Sequence, residues 1–254
     1  MTLGFNISFT FRSYIAWSSH FLRLTGQKAG WILGFNLILF VFNMINYNMK
    51  LINSHRGNTN KLFWVNKRIF DILVSLMLLP LLFIIAITLL VLNLFFNPGK
   101  LFFVQERMGL NCEVFLAIKF RSMLHAEEIT RKHDDPIETN RITPLGNVLR
   151  KIRIDELPQI LNVLKGEMSL IGPRPDYYIY ALEYLKCVEG YRERHTIRPG
   201  ISGLSQIRLG YVESLEAISK KALIDNYYIQ NVGYTIELKI ILNTILIIIK
   251  GMGK

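Results

Sequence analysis

The chain has 254 residues, of which 51% are hydrophobic and only 19% charged, and its 30 Lys and Arg against 19 Asp and Glu leave a net charge of +11. So apolar a composition excludes intrinsic disorder, and so few charges set the chain apart from an ordinary soluble enzyme, in which about a quarter of residues are charged. Two cysteines, Cys112 and Cys187, build neither a disulfide framework nor a zinc cluster and read as inert thiols in a reducing compartment.

Basic residues dominate the start. Arg12, Arg23, Lys28, Lys50, Arg56, Lys61, Lys67 and Arg68 all precede the first acid, Asp71. The apolar run 31–48 is too long for an Arg- and Ser-rich transit peptide and lacks a small-residue cleavage site. It reads as a transmembrane or interfacial helix, with translation from Met44 or Met49 as the competing explanation. The run 72–97 is stronger: it carries no charge and exceeds the ~20 apolar residues that cross a bilayer. Pro80 inside it removes a backbone hydrogen bond and predicts a kink. Lys61, Lys67 and Arg68 stand before the run, and Lys100, Arg107, Lys119 and Arg121 follow it. Both ends therefore prefer the cytoplasm. A bent, re-entrant helix satisfies that preference; a kinked transmembrane helix is the alternative.

Beyond the apolar run the composition becomes mixed. The apolar stretches 101–104 and 114–118 flank the turn-like Gly109-Leu110-Asn111 and predict a short β-hairpin. The charged segment 127–140 reads as a surface loop or frayed helix. Thr143-Pro144 predicts a helix N-cap with proline in the first turn, followed by Leu145, Val148, Leu149 and Ile152 at helical spacing. A second helix places Leu157, Ile160, Leu161 and Leu164 on one face and stops at Lys165-Gly166. Because Pro158 is tolerated only in a first turn, this helix starts near Asp155. Asp155 and Glu156 then sit at a helix N-terminus, where the dipole favours anions and keeps Asp155 ionised. The plain alternative is that Asp155 caps the helix and Glu156 complements its dipole. Cation density argues for more: Arg150, Lys151 and Arg153 precede the pair, and Gly172-Pro173-Arg174-Pro175 follows the helix. Paired carboxylates among arginines suit diphosphate chemistry, one holding a divalent metal while the other attacks phosphorus.

The run 240–249 is too short to span and predicts an interfacial helix. The positive charge then reads as attraction to anionic lipid and to a polyanionic substrate. Nucleic acid is disfavoured, because the basic residues border membrane-length apolar runs. His20, His55, His125, His133 and His195 show no ligand spacing and read as surface or polar-contact residues. Tyr177, Tyr178 and Tyr180 read as core or lipid-interface aromatics.

Ordered blocks carry a resemblance. They are Lys67-Arg68-Ile69-Phe70-Asp71, Gln105-Glu106-Arg107-Met108-Gly109, Lys119-Phe120-Arg121-Ser122-Met123, Thr143-Pro144-Leu145-Gly146, Asp155-Glu156-Leu157-Pro158-Gln159, Gly172-Pro173-Arg174-Pro175 and Arg198-Pro199-Gly200-Ile201-Ser202-Gly203. In this the chain, from about Lys67 onward, resembles the bacterial sugar transferases, the monotopic polyprenyl-phosphate phosphoglycosyl transferases. The resemblance implies transfer of a sugar-1-phosphate from a UDP-sugar to undecaprenyl phosphate at the cytoplasmic face of the bacterial inner membrane. UMP would leave, and a surface polysaccharide or glycoconjugate would be initiated. It implies Asp155 as nucleophile, forming an aspartyl–phosphosugar intermediate, Glu156 as the Mg²⁺ ligand, Arg150 and Arg174 as phosphate holders, and Lys119, Arg121 and Arg198 as further substrate-binding positions. The implied fold is predominantly α with a small β-hairpin (α+β), monotopic in the membrane. Its parts are an N-terminal extension 1–60, a re-entrant helix 61–100 broken at Pro80, and a catalytic domain 101–254 ending in an interfacial helix. The family's break often falls at Ser-Pro, whereas Leu79 precedes Pro80 here. A paired-acid hydrolase fits less well, since adjacent acids on one turn do not flank a sugar from two sides. A non-enzymatic glycan assembly factor is the remaining alternative and leaves the ordered blocks without a task.

Overall fold

The computed structural model describes residues 61–97, 99–124, 141–210 and 214–252. The readings made for residues 1–60 and for the loop 127–140 lie outside the described residues. The first described element, α1, is Lys61–Phe96, a run of Leu, Ile, Phe and Met that closes its backbone hydrogen bonds internally, as an apolar medium demands. Its 36 residues give a contour of about 54 Å at ~1.5 Å per residue. It is long and apolar enough to cross a membrane, and only 22% of its most apolar window is buried. α1 stays helical through Pro80, the position at which the sequence predicts a kink.

The remainder of the described fold touches α1 from end to end. Near its start, Lys67 Nζ donates to both carboxylate oxygens of Glu237 at 2.8 and 2.7 Å. One turn on, Asp71 accepts from Ser169 Oγ at 2.8 Å and from the Leu170 amide at 3.1 Å. In the middle, Leu82 and Leu89 pack with Phe120, Leu149 and Ile160. Just past its end, Asn97 Nδ2 donates to the Arg121 carbonyl at 2.9 Å. The opposite face stays apolar and open, with Met77, Phe83, Ile84, Leu94 and Phe95 all exposed. Contiguous apolar surface of this kind marks a membrane or partner contact.

The expected hairpin is present as β1 (Phe102–Met108) and β2 (Val114–Phe120), antiparallel with Phe102 opposite Phe120 and Met108 opposite Val114. Helix α2 (Pro144–Lys151) starts as expected, with Thr143 Oγ1 accepting from the Gly146 amide at 3.0 Å and proline in the first turn. Leu149 is its buried apolar contact, whereas Val148 faces solvent. The Asp155 segment departs from expectation. It is a 3-10 turn, Ile154–Gln159, entered through Arg153 in the left-handed region (φ 56°), and regular helix α3 begins only at Ile160 and ends at Lys165. Pro158 cannot donate to an α-ladder, which is consistent with the tighter turn ahead of it. Gly166 closes α3 with φ 88°, the left-handed stop that its glycine permits.

Two short strands not foreseen in the sequence, β3 (Ser169–Ile171) and β4 (Gly200–Ser202), pair in parallel with Ser169 opposite Gly200. They bring the Gly-Pro-Arg-Pro and Arg-Pro-Gly-Ile-Ser-Gly blocks together. A Cβ on Gly200 would lie 2.0 Å from the Gly172 nitrogen, so glycine there is a condition of the approach. Between the strands runs α4 (Tyr178–Cys187); after them come α5 (Leu204–Leu209), α6 (Leu215–Gln230) and α7 (Tyr234–Ile249). Helix α7 contains the foreseen terminal amphipathic stretch, with Glu237 and Ile240 buried and Leu238, Leu242, Ile245, Leu246 and Ile249 exposed.

The core consists of satellite clusters. Met108, Ala181, Tyr184, Tyr191, Ile218 and Ala222 join the hairpin to α4 and α6. Phe115, Ala117, Val163 and Met168 join it to α3. Ile171, Ile197, Leu204, Tyr228 and Ile240 gather around the parallel pair.

Candidate active site

Glu156 is the centre of the charged constellation. Its side chain is almost wholly buried and receives three cations from three different parts of the fold. Lys119 on β2 reaches Oε1 at 2.7 Å. Arg174, in the loop after β3, grips both oxygens, one of the two bonds measuring 3.1 Å. Arg153, displaced by its left-handed backbone, lies 3.5 Å from Oε2. Burial alone would push the Glu156 carboxyl up; the charges and hydrogen bonds of Arg174 and Lys119 outweigh it and hold the group well below the ordinary carboxylate range.

Asp155 is the opposite case. It is buried, and among the described residues its carboxylate makes no hydrogen bond. Burial raises its pKa, the Lys119 charge opposes, the adjacent Glu156 charge raises it further, and Arg174 and Arg150 oppose; the net direction is upward. The regular α-helix N-terminus expected at Asp155 is a 3-10 turn here, and desolvation is the largest influence on its carboxyl. Two adjacent carboxyls are thus driven apart in acidity, the pattern that separates roles in an active site.

Arg150, at the end of α2, acts on Asp155 through its charge and donates Nη1 to the Met123 sulfur at 3.3 Å. Lys119, Arg150, Arg153 and Arg174 together face two carboxylates, a surplus of two positive charges suited to a diphosphate.

Of the residues foreseen from sequence, the fold gathers Lys119, Arg150, Asp155, Glu156 and Arg174. It sets two others elsewhere. The Arg121 guanidinium closes the C-terminal end of α1, donating to the Asn97 carbonyl and, at 2.7 Å, to the Lys100 carbonyl. Arg198 donates to the Gly166 carbonyl at 2.9 Å and shares a small cavity with Trp64, Lys67, Arg68, Asp71, Ser169 and Ile197. Gln206 was missed. Its amide belongs with the oxygen toward the cations, accepting from Arg153 and from Arg174 Nη1 at 3.1 Å, since the reverse orientation would set donor against donor. A lone Gln on α5, outside any charged block, carries no local signal; only the tertiary fold brings it to the site.

No group of three or more acidic, His or Cys side chains gathers among the described residues. Mg²⁺, however, takes only one or two carboxylates and completes its shell with water and phosphate oxygens. By carboxylate count the Asp155–Glu156 pair would suffice, although both Glu156 oxygens are already paired with Lys119, Arg153 and Arg174.

Comparison with known proteins accords with this geometry. The sequence profile of the family described as bacterial sugar transferase matches residues 62–251. The UDP-N-acetylgalactosamine-undecaprenyl-phosphate N-acetylgalactosaminephosphotransferase of Aeromonas hydrophila is 38% identical over 74% of this chain and 44% of its own length. The UDP-glucose:undecaprenyl-phosphate glucose-1-phosphate transferase of Klebsiella pneumoniae is 33% identical over 82% of this chain and 46% of its own. A transferase of the same name from Caulobacter vibrioides is 35% identical over 71% of this chain and 68% of its own. The matches to the first two cover somewhat under half of those proteins' length. With the profile covering most of its length, the chain belongs to the bacterial sugar transferase family.

Proposed function

We propose that this chain transfers a sugar-1-phosphate from a UDP-sugar to undecaprenyl phosphate, releasing UMP and initiating a bacterial surface polysaccharide or glycoconjugate. One observation carries the reading: Asp155, a buried residue whose carboxylate has no hydrogen-bond partner among the described residues, stands beside a carboxylate clamped by Lys119, Arg153 and Arg174.

In this scheme Lys119, Arg153 and Arg174 receive the diphosphate oxygens, and Arg150 adds its charge beside Asp155. Asp155 attacks the phosphorus that bears the sugar. The bond to the bridging oxygen breaks, UMP leaves with that oxygen, and an aspartyl–phosphosugar remains. A phosphate oxygen of the acceptor lipid then attacks the same phosphorus and frees the Asp155 carboxylate. Glu156 would be the residue to hold Mg²⁺ on exchanging part of its cation pairing for the metal, which when bound would help neutralise charge on the diphosphate. A carboxylate is a weak nucleophile toward an anionic diphosphate unless surrounding cations cancel the repulsion, and the surplus positive charge here meets that need. Two half-reactions also suit substrates of such different solubility.

The acceptor is a membrane lipid, and the exposed apolar faces of α1 and α7 support insertion into the bilayer. Because residues at the start, middle and end of α1 all contact the same domain, we read the helix as entering and leaving the cytoplasmic face of the inner membrane.

The test is Asp155→Asn in the full chain, assayed for UMP release and for label retained on protein quenched with donor alone. The reading expects both signals from the unsubstituted protein and neither from the variant, with membrane attachment unchanged. Turnover retained by Asp155→Asn would overturn the nucleophile assignment.

A further inference from the structure

We propose that Arg194 is a positioning residue that fixes the Arg174 guanidinium against Glu156 by gripping the Arg174 backbone; the inference rests on the site reading above. The Arg194 side chain is completely buried, and its guanidinium has several partners. Nη2 donates to the Arg174 carbonyl at 2.7 Å. Nε and Nη2 lie 3.0 and 2.8 Å from Asp225 Oδ2 on α6, and Nη1 pairs with Asp176. The ring of Tyr191 covers its charge at 5.0 Å, while the Tyr191 hydroxyl donates to Asp176 at 2.7 Å. Lys221, also on α6, pairs with the other Asp176 oxygen.

Two acids and two bases make the cluster neutral, which lets it be buried without a stranded charge. Among the described residues, no hydrogen bond or ion pair links the cluster directly to Glu156 or Asp155. What it holds is the segment that carries Arg174. The same segment is held from the hairpin: Arg107 Nη1 donates to the Pro175 carbonyl at 3.0 Å, and the Met108 amide donates to the Asp176 carbonyl at 3.1 Å. Three consecutive carbonyls, those of Arg174, Pro175 and Asp176, are therefore bonded, and the first accepts from the guanidinium fork. A lysine could keep the charge but not the planar set of N–H donors that serves two carboxylates and a carbonyl at once.

Two measurements on the full chain in detergent or nanodiscs test the role. The first is hydrogen exchange without substrate. Arg194→Lys is expected to speed exchange in peptides covering Arg174–Asp176 and Arg153–Glu156 while leaving α2 unchanged; a uniform rise across the chain would overturn the role, reducing Arg194 to a general stabiliser. The second is a cycle with Arg174→Ala, read by UDP binding and by UMP release. Arg194→Lys alone is expected to weaken UDP binding and kcat/KM together, by about 10- to 100-fold, as misplacement of a binding group does. In the Arg174→Ala background it is expected to add less than about twofold, since coupled residues are non-additive. Full multiplication of the two losses would overturn the inference. Asp225→Asn, which removes one anchor and leaves the charged guanidinium in place, is expected to give the same pattern at smaller amplitude. If the unsubstituted chain released no UMP while the local exchange change persisted, the function reading would fail and the clamp would stand.

Discussion

Lys119 and Glu156, 37 residues apart in the chain, meet at 2.7 Å and tie strand β2 to the carboxylate turn. The bond fixes more than a register. Lys119 is also the largest cationic influence on Asp155 and, after Arg174, the second on Glu156, so one ammonium acts on the acidity of both carboxyls. Glu156 is saturated with cations and kept strongly acidic. Asp155, one residue away, is left desolvated and less acidic. A carboxylate that takes no hydrogen bond among the described residues, such as that of Asp155, is freer to attack than a fully paired one. The geometry therefore separates the two acids that adjacency in sequence leaves equivalent.

Removing that ammonium tests the separation. Lys119→Met is expected to lower kcat/KM for the sugar nucleotide by about 10²-fold, the scale of losing one charge-stabilising donor. It is also expected to shift the acid limb of the pH profile. Attack requires the ionised Asp155 carboxylate, whose pKa already lies above the ordinary value, so activity falls as pH drops through that raised pKa. Without Lys119 the pKa rises further, and the limb moves to higher pH. A kcat/KM profile measured from pH 4.5 to 8 for both proteins checks the direction; a limb moving to lower pH would contradict the electrostatic assignment.

The hairpin, the Thr143 cap, the Gly166 stop and the terminal amphipathic helix were legible because each depends on local sequence: alternation, a hydroxyl before proline, a left-handed glycine, apolar periodicity. The carboxylate turn was legible in position but not in form. Its 3-10 geometry follows from Pro158 together with the left-handed Arg153, and non-glycine residues rarely announce a positive φ. The parallel β3–β4 pair was hidden, since three-residue strands carry no periodicity and join segments about 30 residues apart. Arg121 and Arg198 occupy positions that only the fold discloses. Basic side chains in family blocks resemble phosphate ligands in sequence, yet the fold turns these two onto backbone carbonyls. Gln206 shows the converse.

Asp71 provides a measure of how firmly α1 is attached. Its carboxylate is buried and accepts from Ser169 Oγ at 2.8 Å and the Leu170 amide at 3.1 Å, joining the first turns of α1 to β3. Asp71→Ala leaves one buried and one half-buried donor without their acceptor and is expected to cost about 2–4 kcal/mol; Ser169→Ala, which removes one donor and leaves the amide bond intact, about 1 kcal/mol. Denaturation of the solubilised chain measures both. Equal losses would show that the amide bond contributes nothing.

Gly146 tests the seating of α2. A Cβ there would stand 1.9 Å from the Ser122 carbonyl oxygen, a backbone atom that cannot swing aside. Gly146→Ala is expected to destabilise the fold by several kcal/mol, as overpacking at fixed backbone does, and to lower UMP release through the shift of Arg150 on the same helix. Gly233→Ala is the control, because nothing lies within 4 Å of its Cβ position and its φ of −179° is ordinary extended backbone. That variant is expected to change stability by less than about 0.5 kcal/mol, and thermal melts distinguish the two.

His195 gives the fold a pH dependence that begins near pH 6.5, above the midpoints of ordinary carboxylates. The ring is buried, Nδ1 lies 3.1 Å from the Gly109 carbonyl, and Nε2 is buried without a partner among the described residues. Burial, with the Arg194 charge in support, pushes its pKa down to about 3. The unfolded chain takes up a proton near pH 6.5, one that the folded chain refuses until far lower pH. The unfolded state therefore binds more protons between those limits, and stability falls as pH drops through them, by about 1.4 kcal/mol per unit. From pH 7 to pH 5 the expected loss from this residue is about 2 kcal/mol. His195→Gln, which keeps an N–H donor for Gly109 and cannot be protonated, is expected to be less stable at pH 7 yet to lose about 2 kcal/mol less on acidification. Chemical denaturation of both proteins at pH 7, 6 and 5 reads the difference in slope, and parallel slopes would mean that His195 is as easily protonated folded as unfolded.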